Sequence, residues 1–256
     1  MQKEESRFAN SAVFEGLTSI RSLLRGKKNG INDRKIIRIL YDKDRKKARE
    51  KELAWLKRVG NEEGFTVEES DAEMLSRLTV GNSHGGIIAE CGERDIPTLS
   101  PSHISEKGFF VMIQGIEDPY NFGYALRSLY ACGVDGIILP ERNWMTAAGV
   151  VCRSSAGASE LLPIYTADPL FAARLFKEKG YGIISADTRT DNILHKTPLH
   201  LPALLIVGGE KRGISRALLD LSDTVVKIPY GRDFDAALSA ASAATILGWE
   251  IYRQNN

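Results

Sequence analysis

Leu204-Leu205-Ile206-Val207-Gly208-Gly209-Glu210-Lys211-Arg212-Gly213-Ile214-Ser215 carries a strand, a loop and a helix start in one short stretch. The apolar run is strand-sized, and Ser215 is a suitable opening for a helix over Ser215–Leu221. Between them, paired glycines let a ligand or another chain segment approach the backbone, and the helix N-terminus offers free N–H donors. An ordinary strand-to-helix turn would not need the carboxylate of Glu210 set between glycines and bases. The same alternation continues on either side. Further strands are predicted at Phe109–Ile113, Gly136–Leu139, Gly182–Ala186 and Val225–Ile228, and helices at Phe122–Ala131, Thr146–Ser154, Pro169–Lys179 and Ala236–Arg253. Short buried strands alternating with helices predict an α/β fold whose mostly parallel sheet is covered on both faces.

Upstream lies a smaller α/β pattern. A helix is predicted from Asn10 to Arg25 on the spacing of Val13, Leu17, Ile20 and Leu24, with Gly26 past its end. A strand at Lys35–Tyr41 follows, then a charged helix carrying Leu53, Leu56 and Val59. A short strand at Phe65–Val67, a helix at Asp71–Leu78 and a strand at Gly86–Ala89 complete the unit. Pro97, Pro101 and several Ser/Thr residues make Gly92–Gly108 read as a linker. The expected division is therefore residues 1–91, a linker at 92–108, and a domain over 109–256.

Composition excludes several classes. With 43% apolar and 26% charged residues in 256, the chain can bury a core and is not disordered. No apolar run reaches the roughly 20 residues of a membrane helix, and Met1-Gln2-Lys3-Glu4-Glu5 is charged where a signal peptide would be apolar. Three cysteines, widely spaced and odd in number, disfavour disulfides. Four histidines without ligand spacing disfavour a metal, so a metal-free protein of the reducing cytoplasm is expected. There is no G-x-x-x-x-G-K-[ST], no G-x-G-x-x-G and no G-x-S-x-G.

A net charge of +1 hides an asymmetry. Residues 21–58 hold 15 Lys/Arg against 5 Asp/Glu, and the remainder of the chain is net −9. Arg45, Lys46, Lys47 and Arg49 are the densest part. Such a run suits a solvated helix face or a polyanion footprint, and charge alone does not choose between them.

Two further segments complete the pattern begun at Val207. Asp118-Pro119-Tyr120-Asn121-Phe122-Gly123, followed by Arg127, turns from a strand end into a helix. On this segment alone, helix capping with a surface arginine is the favoured account. Ile228-Pro229-Tyr230-Gly231-Arg232-Asp233-Phe234-Asp235 leads into a helix rich in alanine and serine, which high helix propensity partly explains.

Together the three segments resemble the motifs of the SpoU/TrmH group of SPOUT-class RNA 2′-O-ribose methyltransferases. The first, D-P-x-N-x-G-x-x-x-R with a glycine six residues later, is met by Asp118, Pro119, Asn121, Gly123, Arg127 and Gly133. Ser155-Ala156-Gly157-Ala158 matches the S-x-G-A that often lies between motifs. The second, G-x-E-x-x-G-[IL]-S, is met by Gly208, Glu210, Gly213, Ile214 and Ser215. The third, I-P-x-x-G then S-L-N-V-S and a helix ending in Glu, keeps Ile228, Pro229, Leu238 and Glu250. Ala237 replaces its Ser, Ser239 replaces its Asn, and the spacing is one residue longer. His84-Gly85-Gly86-Ile87-Ile88-Ala89 is similar to the closing strand of the ribosomal-protein-like substrate-binding domain of many members.

The resemblance implies a C-terminal α/β knot preceded by that small α/β domain, S-adenosylmethionine as cofactor, a tRNA or rRNA substrate, and a homodimer through the C-terminal domain, with the Ala-rich last helix at the interface. It implies cofactor contacts at Gly208, Gly209, Gly213, Ile228, Leu238 and Ser239, and catalytic roles for Arg127, Asn121 and Glu210. Arg45, Lys46, Lys47 and Arg49 would contact RNA. An arginine, with its pKa above about 12, is a poor free base. Arg127 would instead hold a phosphate and orient the hydroxyl, itself fixed by Asn121 and Glu210. The altered third motif keeps a non-catalytic RNA-binding relative open as the alternative.

Overall fold

A computed structural model describes residues 13–81, 84–141, 147–209, 213–233 and 235–256. The chain divides into two units, Met1–Asp95 with Asn143–Leu161, and Ile96–Arg142 with Leu162–Asn256. The continuous boundaries expected at 1–91, 92–108 and 109–256 differ from this, because Asn143–Leu161 joins the first unit.

The first unit is a four-stranded sheet. Its elements are β1 (Val13–Glu15), α1 (Gly16–Lys28), β2 (Ile36–Asp42), α2 (Glu50–Glu63), β3 (Thr66–Ser70), α3 (Ala72–Leu78) and β4 (Ile87–Cys91), with strand order β1-β4-β2-β3. β2 and β3 are parallel, and β4 runs antiparallel between β1 and β2. Of the helix expected over Asn10–Arg25, residues 10–12 lie outside the described residues; the helix itself starts at Gly16 and runs through Gly26 to Lys28. Val13–Glu15 is a strand paired with Glu90–Ile88, and Gly16 at φ +82° turns the chain into α1. Isoleucines and leucines of α1 and α2 (Ile20, Leu23, Leu53, Leu56) pack on the sheet's Phe14, Ile39, Ile87 and Ala89.

The excursion adds α5 (Ala148–Ser154) and a 3-10 turn at Ala158–Glu160 to this unit. Ala148 and Cys152 enter its core, and Arg153 Nη1 donates to Glu15 Oε2 at 2.9 Å. Burial pushes the Cys91 thiol up to about 12 and the Cys152 thiol higher still, so neither is a nucleophile at neutral pH.

The second unit is a six-stranded parallel sheet in the order β10-β8-β9-β5-β6-β7. In chain order it comprises β5 (Phe109–Ile113), α4 (Pro119–Ala131), β6 (Gly136–Leu139), β7 (Ile164–Thr166), α6 (Pro169–Glu178), β8 (Gly182–Ala186), β9 (Ala203–Val207), α7 (Arg216–Leu221), β10 (Thr224–Val226) and α8 (Ala240–Asn255). Every residue of β5, β6 and β9 is buried, as strands covered on both faces require.

Three expectations change here. β7 escapes a reading by pattern, because three residues give too short an alternation. Residues expected to form a linker instead cover that edge strand: Thr166 N–H donates to Pro97 O at 3.0 Å, and Leu99 N–H to Thr166 O at 2.8 Å. The last helix starts at Ala240 and not at Ala236, since Ser239 accepts from Ser242 N–H at 3.1 Å and caps it.

Candidate functional site

In the second unit a cavity of about 300 Å³ opens at the carboxyl ends of β8, β9 and β10. Parallel sheets place ligand crevices at these ends, where loops and helix starts diverge. The volume is at the small end of the roughly 300–1,000 Å³ typical of ligand pockets.

One wall is the segment after β9. Gly213 N–H donates to Gly209 O at 2.9 Å, so the loop returns on itself. A Cβ on Gly208 would lie 2.6 Å from Gly213 C and 2.8 Å from Ile214 N, and one on Gly209 would lie 2.5 Å from Gly115 O. The glycine pair is thus required by backbone packed on backbone, and the resulting wall presents main-chain groups to the cavity. Gly208→Ala is expected to push this wall outward and destabilise the fold by about 1–3 kcal/mol, since volume added to close-packed backbone forces shifts. Urea denaturation checks it; a stability within about 0.5 kcal/mol of the wild type would mean that the loop has room for a Cβ.

A second wall follows β10 and enters α8. Val226, Ile228, Leu238, Ala243 and Leu247 line it, and Leu238 N–H donates to the Tyr230 hydroxyl at 3.2 Å, which ties residues 230 and 238 together. The third wall is Asp187–Arg189 after β8. Asp187 Oδ1 accepts from the Arg189 backbone N–H at 2.8 Å and Nε at 2.9 Å, and Oδ2 accepts from Nη2 at 2.6 Å. The Arg189 guanidinium holds the Asp187 carboxyl below its ordinary range, against the opposing effect of burial. A fixed carboxylate at the rim of an apolar slot suits a ligand with hydroxyl or ammonium donors.

Gly208, Gly209, Gly213, Ile228 and Leu238 all line this one cavity. Ser239 does not; its hydroxyl is engaged in capping α8. Glu210 lies outside the described residues. Asp187 belongs to no motif, and only its place after β8, beside β9 and β10, brings it to the site.

Arg127 and Asn121 stand apart from the cavity lining, on α4. Arg127 is exposed and has no hydrogen bond or ion pair among the described residues. Asn121 donates its backbone N–H to Asp118 Oδ1 at 2.8 Å, as part of the helix cap. The expected Asn121–Arg127 hydrogen bond is not made. Six residues of helix rotate the two side chains about 120° apart, onto different faces.

The α4 face around Arg127 is aromatic. Tyr120, Tyr124 and Arg127 follow an i, i+4, i+7 stripe, and α8 packs beside α4 where Gly248 meets Leu129. α8 exposes Ile246, Trp249 and Tyr252. Its small residues Ala240, Ala241 and Ala244 are buried within the unit and so are not part of the surface that α8 presents.

Comparison with known proteins agrees with this architecture. The sequence model of the SpoU rRNA Methylase family matches residues 108–249. A putative TrmH family tRNA/rRNA methyltransferase, YacO of Bacillus subtilis, is 26% identical over 231 residues, spanning 88% of this chain and 91% of its own. The 23S rRNA (guanosine-2′-O-)-methyltransferase RlmB of Shewanella oneidensis is 28% identical over 75% of this chain and 79% of its own. Among solved structures, an RNA 2′-O ribose methyltransferase superposes with a TM-score of 0.76 at 21% identity, covering 94% of this chain and 88% of its own. The AdoMet-bound rRNA methyltransferase from Sinorhizobium meliloti gives 0.76 at 19% identity, covering 97% and 93%. With the family match extending over more than half of its length and the parallel sheet in place, the chain belongs to the SpoU rRNA Methylase family of RNA methyltransferases.

Proposed function

We propose that the protein transfers the methyl group of S-adenosylmethionine to a ribose 2′-hydroxyl of tRNA or rRNA, in the cytoplasm, as a homodimer. The observation that carries this reading is the convergence of residues from the second and third motifs on one cavity. Main-chain groups of residues 208–209 and 213, the apolar side chains of Val207, Ile214, Val226 and Leu247, and the Asp187 carboxylate fit an adenosine with a charged tail. When bound, the cofactor supplies a sulfonium-activated methyl group. The apolar lining would exclude water from a reaction that consumes a positive charge. In the fold this family implies, the loops after β9 and β10 would form the knot.

Arg127 would hold an RNA phosphate on its fork of N–H donors and set the 2′-hydroxyl in line, without the hydrogen bond expected from Asn121. Arg127 does not line the cavity of its own chain, so a second copy would complete the site by bringing its own Arg127 to it. The exposed Tyr120, Tyr124, Ile246, Trp249 and Tyr252 beside it offer the apolar surface for that copy. Tyr124→Asp with Trp249→Asp is expected to leave S-adenosylmethionine binding measurable while converting a dimer to monomers and abolishing transfer. Light scattering coupled to gel filtration reads the mass; a monomeric wild type would refute the shared site.

Incubation of RNA with radiolabelled S-adenosylmethionine, followed by alkaline digestion, tests the reaction itself. Label in alkali-resistant dinucleotides marks 2′-O-methylation, and label in bases alone overturns the proposal. The rival reading, an RNA-binding relative without transfer, draws on Ser239 being spent as a helix cap. It would show neither cofactor binding nor label.

A further inference from the structure

We propose that the exposed faces of α1 and α2 form an RNA-docking surface, with phosphates held by a row of arginines and lysines and an unpaired base stacked on Trp55. This rests on the reading of the protein as an RNA methyltransferase, and it names where the first unit holds the substrate. Arg21, Arg25 and Lys28 occupy i, i+4, i+7 on α1, a single exposed stripe, and α1 contains no acid at all. Lys51, Trp55 and Arg58 repeat the spacing on α2. None of these five cations has an ion pair among the described residues.

The two stripes are neighbours. The Arg21 guanidinium lies over the Trp55 ring at 5.9 Å from its centroid, and further along both helices Lys27 pairs with Glu63. The helices therefore run side by side in one direction, with Trp55 of the α2 row against Arg21 of the α1 row. Acids on α2 sit in its first and last turns, at Glu50, Glu52, Glu62 and Glu63, and leave the middle to Trp55, Lys57 and Arg58.

A solvated helix face ordinarily intersperses signs, because like charges at i, i+4 repel. The helix dipole favours Arg25 and Lys28 at the end of α1 but gives nothing to Arg21 in its middle. A polyanion accounts for the whole row. Trp55, half-buried against the core and flanked by the Arg21 guanidinium, supplies what a bare basic patch lacks. Unpaired bases stack on such rings and on guanidinium planes, which favours single-stranded RNA over a duplex.

The cluster that the sequence singled out is differently occupied. Arg45 pairs with Asp42 at 3.6 Å, Lys46 with Glu69, and Arg49 Nη2 donates to Gly85 O at 2.6 Å. Only Lys47 of the four is left without a partner among the described residues.

Fluorescence anisotropy with a labelled oligouridylate, in a salt series, tests the surface on the full chain. Arg25→Gln, Lys28→Gln and Arg58→Gln together should weaken binding and lower the slope of log affinity against log salt by about 2, at roughly 0.7 for each phosphate that is no longer neutralised. Trp55→Leu, which keeps apolar volume, should weaken binding roughly 5- to 150-fold, while Trp55→Phe keeps most of it. Circular dichroism and S-adenosylmethionine titration should match the wild type throughout. Unchanged affinity and slope in the folded triple variant, equal effects of Leu and Phe at Trp55, or no RNA binding by the wild type would each overturn the proposal. RNA binding that depends on this surface in a protein that never binds S-adenosylmethionine would uphold the surface and sink the methyltransferase reading.

Discussion

Arg127→Ala should lower methyl transfer by about 10²–10³-fold, the usual loss when one charge-stabilising donor is removed from a reacting centre. Cofactor affinity should stay within twofold, because Arg127 lies outside the cavity lining. Stability should change by no more than about 0.5 kcal/mol, as for most exposed side chains away from caps and cores. Arg127→Lys should recover little, since an ammonium cannot reproduce the two-pronged grip of a guanidinium on phosphate. Single-turnover transfer under saturating cofactor, with calorimetry on the same samples, separates these readouts. Transfer at the wild-type rate in Arg127→Ala would falsify the assignment.

That Arg127 could be singled out at all reflects which features a sequence displays. The strands β5, β6 and β9 are continuous apolar runs, and the glycines at 208, 209 and 213 mark a loop whose backbone must pack closely. Local pattern suffices for these. It misleads where a short element mimics another period: Val13 fits the helical spacing of Leu17 and Ile20, yet Gly16 at φ +82° ends a strand there. It misleads again in the Ala-rich run before Ala240, where helix propensity is high but residues 237 and 238 wall the cavity in non-helical form. Asp187 is invisible because one Asp after one strand is unremarkable until the strand order sets it beside Gly208 and Ile228. Charge counting finds the basic N-terminal block but not its partners: Arg45 and Lys46 pair with Asp42 and Glu69. Ser155–Ala158 reads in sequence as a signature between motifs. Its neighbours are far away in sequence: a Cβ on Gly157 would meet Ser22 Oγ at 1.9 Å, so that glycine lets the segment close onto α1.

The same segment carries the largest stability effect expected in the molecule. Glu160 and Arg34 are 2% and 3% exposed, and Arg34 Nε donates to Glu160 Oε2 at 3.3 Å. Arg34 Nη1 donates to Gly92 O at 2.8 Å, its guanidinium lies 4.9 Å from the Phe14 ring centroid, and Nη2 is buried with no partner among the described residues. Asn32 Nδ2 also donates to Glu160 O, at 2.9 Å, and Gly26 leaves room for that carbonyl. Glu160→Ala would strand a guanidinium in a low-dielectric site already short of one acceptor. Breaking one side of a buried pair costs about 3–5 kcal/mol, whereas replacing both sides with apolar groups of similar volume is often neutral. Urea denaturation should therefore show Glu160→Ala destabilised by about 3–5 kcal/mol, and Glu160→Leu with Arg34→Met less destabilised than either single change. The long separation in sequence makes the pair a clamp between residues near position 34 and the turn at Ala158–Glu160, so its loss should release both together. A cost below about 1 kcal/mol for Glu160→Ala, or simple additivity in the cycle, would mean that water reaches Arg34 when the carboxylate is gone and that the pair is not the clamp its burial suggests.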